Sequence, residues 1–507
     1  MRSFLSRHLP RPVKRVLSPV YYWMRRRTQR MGAFARSKRR QHRETWAKFN
    51  RGVRLTLRAR ADGRDLRRGA RRSASDDEGA EMPVSEVARA IEGASRRRRR
   101  DAVSRRPRRL EAEARRLRTE VARLKRALHQ AAADATDPHQ EWYRQRVALT
   151  GGLQRRDFAY FPGGVQNPYL RLLYAGLPEV GFEARPLARF ELLDRVAGDG
   201  VFHLHWTRVF QVGAGSEAEA RLQSEAYLRR IEDFVGRGGT LVWSVHEALP
   251  HDCEYPEVER ELRGRLGELA SVVHVLHAST PGEVEGLYRL DGSKVVVVEH
   301  PLYGGVYDDF VSRGAARALL GVGDDEVLLV GFGAIRPYKG FDRLVRALPG
   351  LGERTGLGVR AIIAGPTFKS IDLSDLQALV DATDGASMID GAVPDEYVQV
   401  LFRAADVVVL PYRQVLNSGV LMLALTFGCP AVAPENPVTL DAVGSGLVHL
   451  FDRESDEDLM RAVIEAIHRR HQRDGLPDAY LERFGQAGVA RRFAEEMNAR
   501  LGKPRAS

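Results

Sequence analysis

Four groups of residues in this chain combine chemistry-bearing side chains with a place just beyond an apolar run. The first is Arg336 and Lys339 in GFGAIRPYKGF, between the run VLLVGF and an amphipathic stretch. A guanidinium and an ammonium neutralise negative charge, and the open N–H groups of a following helix add donors, which suits a diphosphate. The second is Asn417-Ser418-Gly419, ahead of VLMLALTF. Asn417 is a good helix N-cap, and Gly419 allows close backbone approach. Two such turns at the carboxyl ends of strands point to a nucleotide-activated substrate. The third group is His246, Glu247, His251 and Asp252, directly after the run TLVWSV. His246, Glu247 and Asp252 are each candidates for a general base that takes a proton from a hydroxyl; a histidine at a strand end is also a common satisfied core residue. The fourth is His205, Trp206 and Arg208, closing VFHLHW, where a ring and a cation suit a sugar or a phosphate. Core packing is the equal alternative for Trp206.

Two other chemistries are set aside. Gly331-Phe332-Gly333 opens like a dinucleotide fingerprint, but the third glycine is replaced by Arg336. His203, His205, His246 and His251 lack the spacing of a metal-binding helix, and Cys253 and Cys429 form no CxxC, so no metal or other cofactor is expected.

The elements that must position these groups read as two successive α/β series. FAYF, ARPL, VFHLHW, TLVWSVH, SVVHVLH and KVVVVEH are short apolar strands, with helices expected at Pro168–Leu177, Glu217–Val235 and Pro281–Leu290 between them. EVLLVGF, RAIIAG, ASMID, DVVVLPY, PAVAP and GLVHLF repeat the pattern after a linker at Pro301–Arg317. Helices at Asp456–His471 and Tyr480–Leu501 end the chain. Continuous apolar strands alternating with helices imply parallel sheets covered on both faces. The expected division is 1–107, a basic arm; 108–150, a heptad helix and linker; 151–302 and 303–480, two Rossmann-like domains; and 481–507, a last helix.

GFGAIRPYKGFDRLVRAL, RAADVVVLPY and NSGVLMLALTFGCPAVAPE resemble the nucleotide domain of GT-B glycosyltransferases, in particular family-four-like bacterial enzymes. GGVQNPYLRLLYAGL, VFHLHWTRV and LVWSVHEALPHD are similar to the acceptor domain of such enzymes. The resemblance spans roughly residues 155–500. It implies two Rossmann-like domains facing across a cleft, with the final helix crossing back to the first. It implies transfer of a sugar, a hexose and by a lean mannose, from a nucleotide sugar to a hydroxyl. Arg336 and Lys339 match the donor-diphosphate grip. Asn417, Ser418 and Gly419 match the phosphate and sugar segment, and Gly333 belongs to the same cradle. Gly163, Gly164 and Asn167 match the glycine loop facing the donor, with a tight structural turn as the alternative. Val393, in VPDEY, matches the nucleobase contact, and His246 matches a cleft histidine. His205, Trp206, Arg208 and His251 fall on the acceptor side. The sequence departs from the family at the E-x7-E glutamates, whose positions hold Val415 and Leu423. A Ser-Gly turn without them resembles some β-mannosyltransferases that build lipid-linked glycans. Inverting and retaining outcomes both stay open, as does a non-catalytic partner protein that kept the fold.

Charge divides the chain sharply. Residues 1–150 carry 42 Lys and Arg against 16 Asp and Glu, whereas the remainder carries 38 against 50. Residues 1–60 interleave this charge with Phe4, Tyr21, Tyr22, Trp23, Trp46 and Phe49, which suits an anionic membrane surface better than a nucleic-acid arm. A solvated tail is the plain alternative. Leu110, Ala114, Leu117, Val121, Leu124 and Leu128 form one heptad stripe, for self-association or for packing on the body. No apolar run reaches the roughly 20 residues of a membrane span. A cytoplasmic protein at the inner face of the plasma membrane, working on a glycan or lipid-linked acceptor, is the setting this implies.

Overall fold

The computed structural model describes residues 156–163, 168–250, 253–368, 371–473 and 475–502. The basic arm and the heptad at Leu110–Leu128 lie outside the described residues, as do Gly164, Asn167, His251 and Asp252.

The first lobe is a six-stranded parallel sheet: β1 (Arg156–Phe161), β2 (Phe182–Pro186), β3 (Val201–Leu204), β4 (Thr240–Val245), β5 (Val272–Val275) and β6 (Val295–Val297). Their spatial order is β2-β1-β3-β4-β5-β6. The second sheet holds β7 (Glu326–Phe332), β8 (Gly358–Gly365), β9 (Ala386–Asp390), β10 (Val407–Val409), β11 (Ala431–Pro434) and β12 (Val448–Phe451), ordered β12-β11-β10-β7-β8-β9. The strand pairings described in both sheets are parallel, for example Val330 opposite Ile362 and Val408 opposite Val330. β-Branched runs such as Val407–Val409 favour this extended state and bury both faces at once.

The helices are α1 (Pro168–Leu173), α2 (Glu217–Gly236), α3 (Pro256–Leu269), α4 (Thr280–Val284), α5 (Arg313–Leu320), α6 (Phe341–Thr355), α7 (Ser374–Ala382), α8 (Asp395–Ala404), α9 (Gly419–Thr426), α10 (Pro437–Val443), α11 (Asp456–His468), α12 (Asp478–Phe484) and α13 (Gln486–Leu501). Local chemistry sets their ends. Ser216 caps α2 by accepting from Glu219 N, and the Glu219 carboxylate accepts from Gly215 N.

Three expected helices and the expected linker differ. The stretch Pro168–Leu177 tightens into a 3-10 turn over Tyr174–Val180, with Pro178 inside it. Only Thr280–Val284 of the region around Pro281–Leu290 is helical; Gly282 and Gly286 weaken that segment. The linker Pro301–Arg317 ends in α5, because Arg317 is buried against Asp406. The last helix breaks at Gly485, where a Cβ would lie 2.2 Å from Leu481 O.

After that break α13 returns to the first lobe. Val489, Phe493, Ala494 and Met497 pack with Phe158, Tyr174, Phe182 and Val242 in one core. Gly176 admits the helix: a Cβ there would stand 2.6 Å from Ala490 O. The lobes also touch through Arg483, which binds Glu299 at 2.9 Å and Asp441 at 2.6 Å.

Candidate active site

In the second sheet, β7 has β8 on one side and β10 on the other, so the order in which strands are added reverses between β7 and β10. Ligands of open α/β sheets bind beyond the carboxyl ends of strands at such a point. The turn after β7 carries Arg336 and Lys339; the segment after β10 carries Tyr412, Asn417 and Ser418. Gly333 has φ 100°, a left-handed backbone, and a Cβ there would sit 3.1 Å from Lys339 Nζ. Gly340, at φ 63°, comes so near Pro411 O that a Cβ would lie 2.1 Å away. These glycines let the two turns close on one another.

Lys339 is 7% exposed. Its ammonium donates to Tyr412 Oη at 3.1 Å and lies 4.8 Å from that ring's centroid. No carboxylate pairs with it among the described residues. Burial pulls its pKa below the usual lysine value; Arg336 adds to that and Tyr338 opposes it. A buried cation matched only by a neutral phenol is electrostatically open to an anion. Arg336 is half-buried, its guanidinium 4.4 Å from the Phe368 ring centroid. Burial also lowers the Arg336 pKa, with Arg208 and Glu247 of the first lobe acting on it in opposite senses. The cleft therefore brings Arg208, Glu247 and Arg336 into one field.

On the first lobe, His246 and Glu247 follow β4 directly. The Trp206 ring stacks on His246 at 4.6 Å, and Tyr169 meets it edge-on at 5.3 Å. His246 Nε2 bonds His205 Nδ1 at 2.8 Å. Burial holds the His246 pKa well below the usual histidine value, with His274, His300 and Arg263 adding to it. Burial raises the Glu247 pKa, and Arg263 opposes that. A buried ion pair that sequence reading missed fixes this loop. Arg263 Nε donates to Glu259 Oε1 at 2.8 Å, and its Nη1 donates to the backbone oxygens of Glu247 and Ala248. Its i,i+4 spacing on α3 is that of an ordinary solvent-exposed pair; only the fold buries it.

Asn417 is not a cap. Ser418 takes the N-cap of α9, accepting from Leu421 N at 3.3 Å. Asn417 instead donates through Nδ2 to His246 O at 3.0 Å, tying the donor turn to the first lobe, and its Oδ1 is buried without a partner among the described residues. Gly419 faces the segment that follows β6, where a Cβ would lie 2.8 Å from Tyr303 Oη and 3.3 Å from His300 Nε2. Gly163 packs on β2: a Cβ would lie 2.6 Å from Leu187 O, so its glycine is set by the tight turn. Val393 lies between β9 and α8, half-buried against the second-lobe core. Val415 and Leu423 both pack into that same core. Trp206 spends one face on His246. Arg208 is exposed at the carboxyl edge.

Comparison with known proteins fits this geometry. Residues 326–469 match the family model described as Glycosyl transferases group 1. A GDP-mannose:glycolipid 4-beta-D-mannosyltransferase of Xanthomonas campestris pv. campestris is 27% identical over 348 residues, covering 65% of this chain and 92% of that one. The chain is a glycosyltransferase. A D-inositol 3-phosphate glycosyltransferase of Streptosporangium roseum matches at 28% over 250 residues, 45% of this transferase and 56% of that protein. The Anabaena protein HepE, solved in complex with UDP, shares the fold at TM-score 0.51 and 15% identity, covering 68% of the transferase and all of HepE. The two-lobed GT-B architecture is thus common to both.

Proposed function

We propose that this transferase moves mannose from GDP-mannose to a hydroxyl of a lipid-linked glycan. The observation that carries the donor half is the buried Lys339 ammonium at the β7/β10 switch point, matched only by Tyr412 among the described residues. A leaving nucleoside diphosphate supplies the missing negative charge, and Arg336 shares it. The mannosyl and glycolipid assignment is supported by the Xanthomonas relative, nearly the whole of which aligns with this chain. It is also supported by the apolar Val415 and Leu423 at the E-x7-E positions.

A β-mannosyl product made from an α-linked nucleotide sugar requires inversion. The acceptor oxygen bonds the anomeric carbon, the carbon–phosphate oxygen bond breaks, and that electron pair leaves with GDP. His246 takes the acceptor proton on Nδ1. Glu247, beside Arg208 on the first lobe, sets the charge around Arg336 on the opposite wall. The Arg-rich residues 1–60 hold the enzyme to anionic membrane, near its acceptor.

The test is transfer of labelled sugar from GDP-mannose, UDP-glucose and ADP-glucose into lipid extract. Incorporation from GDP-mannose, with product resistant to α-mannosidase, is expected. Incorporation from a uridine or adenosine donor alone contradicts the donor assignment.

A further inference from the structure

Six polar groups inside the first lobe make one unbroken row. His246 Nε2 meets His205 Nδ1 at 2.8 Å, and His205 Nε2 meets Tyr174 Oη. Tyr174 Oη meets His203 Nδ1 at 3.0 Å, and His203 Nε2 meets Ser244 Oγ at 2.8 Å. Ser244 Oγ meets His274 Nδ1 at 2.7 Å, and His274 Nε2 meets Val298 O at 3.0 Å. The members come from three neighbouring strands and one 3-10 turn. Ser244 stands directly opposite His274 in the sheet register. Phe493 of α13 covers the row, stacked on His203 at 5.8 Å and edge-on to His274 at 5.3 Å.

The far end dictates the direction of every bond. Val298 O can only accept, so His274 carries its proton on Nε2 and its Nδ1 must accept. Burial lowers the His274 pKa to about 4, so the ring has one proton to place near neutrality. Ser244 therefore donates to His274 and accepts from His203 Nε2. His203 Nδ1 then accepts from Tyr174, whose oxygen accepts from His205 Nε2. His205 Nδ1 is left as an acceptor, and His246 must donate to it through Nε2. The reverse polarity would set a lone pair of His274 against the Val298 carbonyl, an unmade bond in a buried site.

We infer that Tyr174, His203, His205, Ser244 and His274 are positioning residues that fix the Nε2–H tautomer of His246 and so leave its Nδ1 as the basic atom at the cleft. Nδ1 makes no hydrogen bond among the described residues. This inference rests on the reading of His246 as the general base. It assigns to a row of interior side chains a task that packing alone would not require. An apolar core of the same shape would fold as well but would leave the imidazole free to place its proton on either nitrogen.

The test uses the full-length enzyme labelled with 15N-histidine and read by long-range 1H–15N correlation. His203, His205, His246 and His274 are expected to be Nε2–H tautomers. Tyr174→Phe removes the relay's middle member. His205 then gains by placing its proton on Nδ1 toward His246, which must move its own to Nδ1. The expected result is a His246 signal shifted toward the Nδ1–H form and kcat lowered roughly tenfold, below the ~10²-fold floor for losing a general base, with donor KM held. Ser244→Ala, further along the row, is expected to loosen the tautomer in the same sense. Wild-type His246 found as Nδ1–H, or a Tyr174→Phe enzyme whose His246 stays Nε2–H, overturns the inference. A His246→Gln enzyme of undiminished kcat, with the wild-type tautomers as expected, defeats the base reading and leaves the relay intact.

Discussion

The two lobes share a fold and bury their polar groups in opposite ways. The second lobe has a buried, paired charge cluster at the amino ends of its strands. Asp406, one residue before β10, takes Arg317 at 2.9 Å, Arg313 at 2.6 Å and Leu328 N at 2.8 Å. Between that cluster and the cleft lie only aliphatic strands, and the cation at the carboxyl edge, Lys339, stands apart from any carboxylate among the described residues. The first lobe instead runs neutral imidazoles through its interior to the cleft. A surface that neutralises a diphosphate needs fixed charge. A surface that accepts a proton needs a neutral ring held in one tautomer.

Breaking each side gives different signatures. His246→Gln should cost the most, lowering kcat about 10²- to 10⁴-fold with little change in donor KM; a steady-state titration of both substrates checks it. Arg317→Met leaves Asp406 buried beside a lost partner and should destabilise the second lobe by about 3–5 kcal/mol. Urea unfolding would show it, while folded enzyme binds nucleotide as before; a parallel loss of affinity would mean that the amino-edge charges serve the site. Asn417→Ala removes one bond between the lobes, worth about 1 kcal/mol, and should raise the donor KM about fivefold. The smallest effect is on stability against pH. Burial depresses the Lys339 pKa in the fold below its unfolded value of 10.5. Between those two values the unfolded chain holds more protons, so stability rises with pH. Wild type should therefore gain on Lys339→Met as pH climbs toward 10.5 and trail it lower down, in melting scans without ligand.

Much of this was legible in the residue pattern. Runs such as VLLVGF and DVVVLPY could only be doubly covered strands, and cations after the first of them marked the donor edge. Ser418 was misread as a neighbour of the cap, because Asn and Ser cap equally well and only the fold draws Asn417 across the cleft. The imidazole row was missed although its signal was present. His203 and His205, Ser244 and His246, and His274 recur two apart on adjacent strands, yet strand order is not written in one sequence. Arg263 and Glu259 were hidden for the reason that makes them useful, since burial is a property of packing. The partial helix at Thr280–Val284 shows the limit from the other side: a helix was expected over Pro281–Leu290, and two glycines allowed five residues.

Calorimetric titration of GDP into wild type and Lys339→Met is the most direct test of the account. The variant, folded and melting no lower below pH 8, is expected to lose about 10²-fold or more in affinity, the scale of removing a preorganised donor to an oxyanion. Equal affinity for GDP in the two proteins would contradict it.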